Sequence, residues 1–273
     1  VDISPTAIRA IHWGRPINYC PTAIEDGRAD DFRRDLEKML ILSASDKNPS
    51  AGVTGKFGLG FKSVLLATDS PKVLSGDLRF EIVGGVLPQQ WKTSGDTGTI
   101  LIKHSSPLRN RGTVTEIPIA DLSVRSQVLE RFVALSGLQA VFGRLIHEIR
   151  IVGESKPVPR GRWKRQLEIG QFESGLCDIP TLTGWCEARL LVYRGNAGCV
   201  VFRSGSRGAE RLDGRIPPFW VTAPTRESES VGFVVNAGFE VDAGRSRLAS
   251  NSVHNNLLSK RLGSDFGHAL AHL

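Results

Sequence analysis

Residues 55–63 read Gly55-Lys56-Phe57-Gly58-Leu59-Gly60-Phe61-Lys62-Ser63, and no other stretch restricts this chain so tightly. Three glycines at spacings of three and two leave their backbone N–H groups bare of side-chain cover. The run behind them, Phe61 to Ala67, has the character of the first turns of a helix. A glycine-rich bend feeding a helix N-terminus gathers unpaired amides at the positive end of the helix dipole, which suits the phosphates of a nucleotide. The plain alternative is a bend whose glycines serve only positive φ and tight packing.

Two common phosphate motifs are excluded by register. A P-loop places its lysine directly after the second glycine, and here Phe61 stands between Gly60 and Lys62. A dinucleotide fingerprint needs a third glycine three residues after Gly60, where this chain has Ser63.

The longer string Gly-x-Phe-Gly-x-Gly-Phe-x-Ser resembles the last ATP-site motif of the GHKL (Bergerat-fold) ATPases, the superfamily of gyrase, the ninety-kilodalton heat-shock chaperones, histidine kinases and MutL. The chaperone and sacsin-like branches carry nearly this string, with Phe57 and Phe61 in place. The resemblance implies that the amides of Gly55, Gly58 and Gly60 hold the phosphates of ATP while a mobile lid closes over them. Phe57, Leu59 and Phe61 belong to the same nucleotide-binding stretch, Phe57 and Phe61 as packing residues whose neighbours' amides do the binding. Lys62 is a weaker phosphate ligand and reads more simply as an exposed helix lysine, with Ser63 as a helix cap.

The likeness extends to both sides. Ser4 to Gly14 looks like the helix after the family's Asp-x-Gly-x-Gly loop, which makes residues 28–47 the lid. Gly112-Thr113-Val114-Thr115-Glu116-Ile117 looks like the Gly-Thr strand, with Thr113 beside the adenine. Further on, Phe239-Glu240-Val241-Asp242-Ala243-Gly244-Arg245-Ser246-Arg247-Leu248 resembles the chaperones' middle-domain segment ending Arg-x-x-Leu. By that resemblance Arg245, or less directly Arg247, reaches the γ-phosphate. A guanidinium delivered to a dry site offsets charge building on phosphoryl oxygens. The alternative is a surface arginine paired with Asp242 or Glu240.

Other parts of the family's site are not seen. The family activates water with a glutamate, holds Mg²⁺ with an asparagine, and binds the adenine amino group with the aspartate of Asp-x-Gly-x-Gly. Asp2 is followed by no Gly-x-Gly. The expectation is a piece of a longer ATPase that supplies those residues, with ATP and Mg²⁺ as cofactors, a client or partner protein, and a homodimer among the compatible states. A scaffold without nucleotide, or a DNA-associated ATPase, is the alternative.

Composition narrows the class. A chain of 273 residues, 40% hydrophobic and 23% charged, has room for two folded domains. No run approaches the roughly 20 apolar residues of a membrane span, and the N-terminus lacks the pattern of a signal peptide. Cys20, Cys177, Cys186 and Cys199 form no C-x-x-C pair and read as reduced packing residues, so the expected location is cytoplasmic. The net charge of +7 invites a nucleic-acid partner, and Arg160, Arg162, Lys164 and Arg165 around Trp163 form the densest basic cluster. A solvated loop between domains is the simpler reading of it. His268 and His272 have a zinc-compatible spacing without an evident third ligand.

The expected fold is α+β: a two-layer GHKL-type sandwich over residues 1–152, then a smaller α/β middle domain over 153–273. Alternation at Leu78, Phe80 and Ile82 predicts a strand, as do Thr99–Lys103, Thr113–Ile119 and His147–Val152. Val128, Phe132, Leu135, Leu138, Phe142 and Leu145 predict a helix of about six turns. Arg189–Arg194 and Cys199–Arg203 predict a hairpin around Gly195–Gly198, followed by strands near Phe219–Thr222 and Gly232–Asn236. A last helix is predicted over Asn255–His272, with Leu257, Leu258, Leu262, Phe266, Leu270 and Leu273 as its apolar side.

Overall fold

The computed structural model describes residues 1–13, 16–18, 34–40, 61, 64–65, 67–76, 78–91, 112–143, 146, 148–152, 161–181, 184–221, 223–227, 231–242 and 246–271. These form a mixed α/β protein, mostly antiparallel sheet with few helices. They divide into two units, Val1–Gln127 with Ile151–Ser155, and Val128–Arg150 with Lys156–Leu273.

The first unit is built on the strands β1 (Asp2–Ile3), β2 (Ala7–His12), β3 (Lys72–Ser75), β4 (Leu78–Val83), β5 (Leu87–Gln90) and β6 (Thr113–Pro118), with the helix α1 at Asp35–Leu40. The strand order is β1-β2-β6-β3-β4-β5, and every pairing is antiparallel. Charge sets the register. Asp2, Arg9, Glu116, Lys72 and Glu81 stand in one row across five strands, alternating in sign. Arg9 bonds Glu116 at 2.6 Å and Asp2 at 3.0 Å, and Lys72 lies 3.8 Å from Glu116. Slipping any strand by one residue would turn its charge to the apolar side.

That apolar side carries Val73, Phe80 and Ile82, all buried, against which Leu36, Met39 and Leu40 of α1 pack together with Ile17 and Phe61. Here the expectation for Ser4–Gly14 is corrected: Ala7–His12 is a strand, not a helix. Ile3, Ala7, Ile8 and Ile11 are spaced for one helical stripe, but cross-strand partners decide otherwise. As a strand between β1 and β6 this segment buries Ala7 and Ile8 and sets Arg9 between two carboxylates. Isoleucine also favours the extended chain.

The second unit holds an eight-stranded sheet, the largest among the described residues. The helix α2 (Leu122–Phe142) starts in the first unit and continues in the second. After it come β7 (Glu148–Ile149), β8 (Gly161–Arg162), β9 (Lys164–Ile169), β10 (Phe172–Thr181), β11 (Gly184–Arg194), β12 (Gly198–Gly205), β13 (Gly208–Glu210), β14 (Phe219–Val221), β15 (Ala223–Pro224), β16 (Val234–Ala237) and the helix α3 (Val253–Ala271). The main sheet runs β15-β14-β16-β12-β11-β10-β9 with β13 beside β12, and β7 pairs with β8. Its β14–β16 pair is parallel and its other pairs antiparallel.

Strand alternation gives this sheet two apolar faces, each covered by a helix. Leu190, Val192, Cys177, Ile179, Val201 and Trp220 meet Leu135, Leu138, Val141 and Phe142 of α2. Tyr193, Phe172, Val200 and Val235 meet Leu258, Leu262 and Phe266 of α3. Each such buried side chain contributes about 1.5–3 kcal/mol.

The helices expected from Val128 onward and over Asn255–His272 are present, as is the 189–203 hairpin, but the helix faces are shifted. Val128 and Leu257 are exposed, while Ser136 and Gly137 are buried against the sheet. The hairpin of β9 and β10, turning at Gly170 with φ 57°, was not among the expected strands. The expected strand at Thr99–Lys103 lies outside the described residues, and of His147–Val152 the described part is β7 and a single bridge from Val152 to Asp2.

Candidate functional site

Of the residues read as nucleotide-binding, Phe61 and Thr113 are described, and both lie on one face of the first unit's sheet. Phe61 packs on the Val73–Phe80–Ile82 cluster. Thr113 begins β6 and pairs with Ser75, on the same side as Val73 by strand alternation. Among the described residues that follow Phe61, Val64 N–H donates to the Phe61 carbonyl at 3.0 Å, and Ala67 N–H to that of Val64 at 2.9 Å. These are i→i−3 bonds, so the turn here is of 3₁₀ type. Gly55, Phe57, Gly58, Leu59, Gly60, Lys62 and Ser63 lie outside the described residues.

Thr113 is buried, and its hydroxyl is 2.7 Å from that of Ser75, which also accepts the Ile17 N–H at 2.9 Å. Sequence reading missed Ser75. The available signal was a hydroxyl residue closing the apolar strand Lys72–Ser75, one of the few polar groups that a strand end can bury when a partner hydroxyl faces it.

The segment expected to carry the arginine is anchored at both ends. Val241 and Leu248 form a bridge, and Asp242 N–H donates to the Arg247 carbonyl at 2.9 Å. The Asp242 carboxylate accepts the N–H groups of Ser246 at 2.7 Å and Arg247 at 3.2 Å, and the Ser246 hydroxyl at 3.0 Å. Those backbone bonds hold its carboxyl below the usual aspartate range. Leu248 N–H donates to Glu227 at 3.0 Å. Glu240 is gripped from the start of α3: its N–H and C=O bond the Asn255 amide, and its carboxylate accepts the Ser252 hydroxyl. Asp242 thus has its partners within the segment and Glu240 at the start of α3, whereas Arg245 lies outside the described residues. Arg247 is exposed.

The Asp242 contacts carry a pH prediction. Since folding depresses this carboxyl's pKa, its contribution to local order is complete above the ordinary aspartate value and fades as pH falls through the lowered one. Asp242→Ala is expected to speed hydrogen exchange at the Ser246 and Arg247 amides about tenfold near neutral pH. Unchanged exchange in the variant would remove Asp242 from that role.

The described part of the basic cluster lies at strand ends. Arg162 ends β8, and Lys164 and Arg165 begin the exposed edge strand β9, ion-paired to Glu187 and Glu168 respectively. Trp163 is half-buried and packs against the α2-side core. Cys177 and Cys199 are buried free thiols, and burial pushes the Cys199 pKa up to about 12 and the Cys177 pKa higher than its ordinary value. Neither is a thiolate near neutral pH. Cys20, Arg160 and His272 lie outside the described residues, and among those described there is no group of three or more metal-ligating side chains. No described helix is long and apolar enough to cross a membrane.

No protein-family model matches this sequence, and a search of curated proteins finds no match.

Proposed function

We propose that the first unit is part of an ATP-binding and ATP-hydrolysing module of the GHKL type, similar to the chaperone and sacsin-like ATPases. One observation carries the reading: the Gly55–Ser63 string ends in Phe61, which is seated on the same sheet face as Thr113. The described ends of the segments read as phosphate-side and adenine-side thus share one face of the sheet. The amides of Gly55, Gly58 and Gly60 would hold the phosphates, Thr113 would stand beside the base, and Arg245 would offset phosphoryl charge when the second unit docks. Binding would order the lid and switch the protein between open and closed states. Mg²⁺ would be held by an asparagine, and water activated by a glutamate, as on the helix of the family that carries both.

The strand at Ala7–His12 withdraws one segment of the resemblance and favours a second reading, a nucleotide-free scaffold that keeps the fold. Titrating the full-length protein with ATP separates the two. The proposal expects saturable binding weakened at least about tenfold by Gly58→Ala or Gly60→Ala, since a Cβ obstructs close approach of amide to phosphate. Binding indifferent to both substitutions contradicts it. Arg245→Ala should lower turnover about 100-fold with affinity little changed.

A further inference from the structure

We infer that strand β9 is an interface between two copies of this chain, paired antiparallel across a two-fold axis that passes between Gln166 and Leu167. The inference is independent of the nucleotide reading. β9 closes one edge of the second unit's sheet, pairs only with β10 among the described residues, and has all six of its residues exposed. An exposed edge offers a row of N–H and C=O groups to another strand. The other described edges are blunted. β5 carries Pro88 and β15 carries Pro224, neither of which has an N–H to give, and β1 and β13 are two and three residues long.

Charge complementarity selects a second copy as the occupant. In a regular strand, residues three apart face opposite ways. β9 is not regular: Leu167 pairs with Ser174 and Arg165 with Gly175, which leaves Gln166 as the extra residue of a bulge. Arg165 and Glu168 therefore share a face, and their side chains are ion-paired at 2.7 Å. About the proposed axis, Arg165 of each copy stands opposite Glu168 of the other, and the two bulges face each other so that the residue counts stay equal. Four charges then alternate in sign along the seam. Moving the axis onto Glu168 would instead set two like charges face to face. On the opposite face Leu167 and Ile169 are 55% and 54% exposed, and around this axis they and their copies cover one another.

The test is sedimentation equilibrium of the 273-residue chain. Its mass should rise with concentration from 29.7 kDa toward twice that value. Arg165→Glu and Glu168→Arg should each weaken association at least about tenfold, since one substitution turns both attractions across the axis into repulsions. Mixed in equal amounts, the two variants should pair with each other, because every charge contact along the seam is then Glu against Arg. Circular dichroism establishes that each variant is folded. A measurement on the wild type alone stands even where a variant does not fold: amide exchange along β9 should slow about tenfold as concentration passes through the range of association. A wild-type chain that stays monomeric, association that neither substitution weakens, folded variants that do not pair on mixing, or β9 amides indifferent to concentration would each overturn the inference.

Discussion

Gly137→Ala is expected to destabilise the second unit by about 2 kcal/mol, while the same change at Gly263 stabilises it by up to about 1 kcal/mol. Both glycines lie inside helices, where alanine is better by about 1 kcal/mol on propensity alone. Surroundings reverse the sign at Gly137. A Cβ there would overlap the Asp178 carbonyl oxygen and lie 2.8 Å from the Cys177 sulfur, whereas nothing stands within 4 Å of one at Gly263. The Asp178 obstacle is backbone of β10, which cannot rotate away, so α2 would have to lift from the sheet. Overpacking of this kind costs about 3 kcal/mol, and the propensity gain offsets a third of it. Denaturant unfolding of the two variants side by side checks this. Stabilisation at both positions would mean that α2 does not lie against β10.

Trp220→Ala should cost more, about 3–5 kcal/mol. Trp220 is fully buried, its ring meets Phe142 with centroids 5.0 Å apart, and its indole N–H donates to the Pro217 carbonyl at 2.7 Å. The truncation leaves a cavity between α2 and β14 and strands a carbonyl. At about 2–4 °C per kcal/mol for a unit of this size, thermal unfolding should begin roughly 10 °C lower. Trp220→Phe, which keeps most of the packing and loses the hydrogen bond, should cost about 1–2 kcal/mol. Equal losses in the two variants would show the hydrogen bond, not the volume, to be decisive; a shift within 2 °C for alanine would contradict the core described.

What could be read from sequence was local. The β11–β12 hairpin was legible because Gly195–Gly198 sits between two apolar runs, and α2 because its apolar residues repeat at helical spacing. The face of α2 was not. Ser136 and Gly137 look neutral in an apolar count, yet they are buried because small residues let the helix approach. The charged row was invisible for a different reason: Arg9 and Glu116 are 107 positions apart, and neither residue announces the other. Without that partner, Ala7–His12 could equally be read as a helix, and the likeness to a family pattern tipped it wrongly. The candidate site divides the same way. A glycine string at close spacing is visible in one line of text, as is the arginine segment near Asp242. Ser75 and Asn255 matter through residues brought to them by folding, and so they went unseen.

The claim on which the functional account depends is that the bend at Gly55–Gly60 holds the triphosphate. Following the backbone amide resonances of the ¹⁵N-labelled full-length protein while adding Mg-ATP addresses it at the atoms concerned. The account predicts that Gly55, Gly58 and Gly60 shift together and saturate at the concentration at which the Thr113 amide does. Glycine resonances that stay in place while ATP is bound elsewhere, or is not bound, would contradict it.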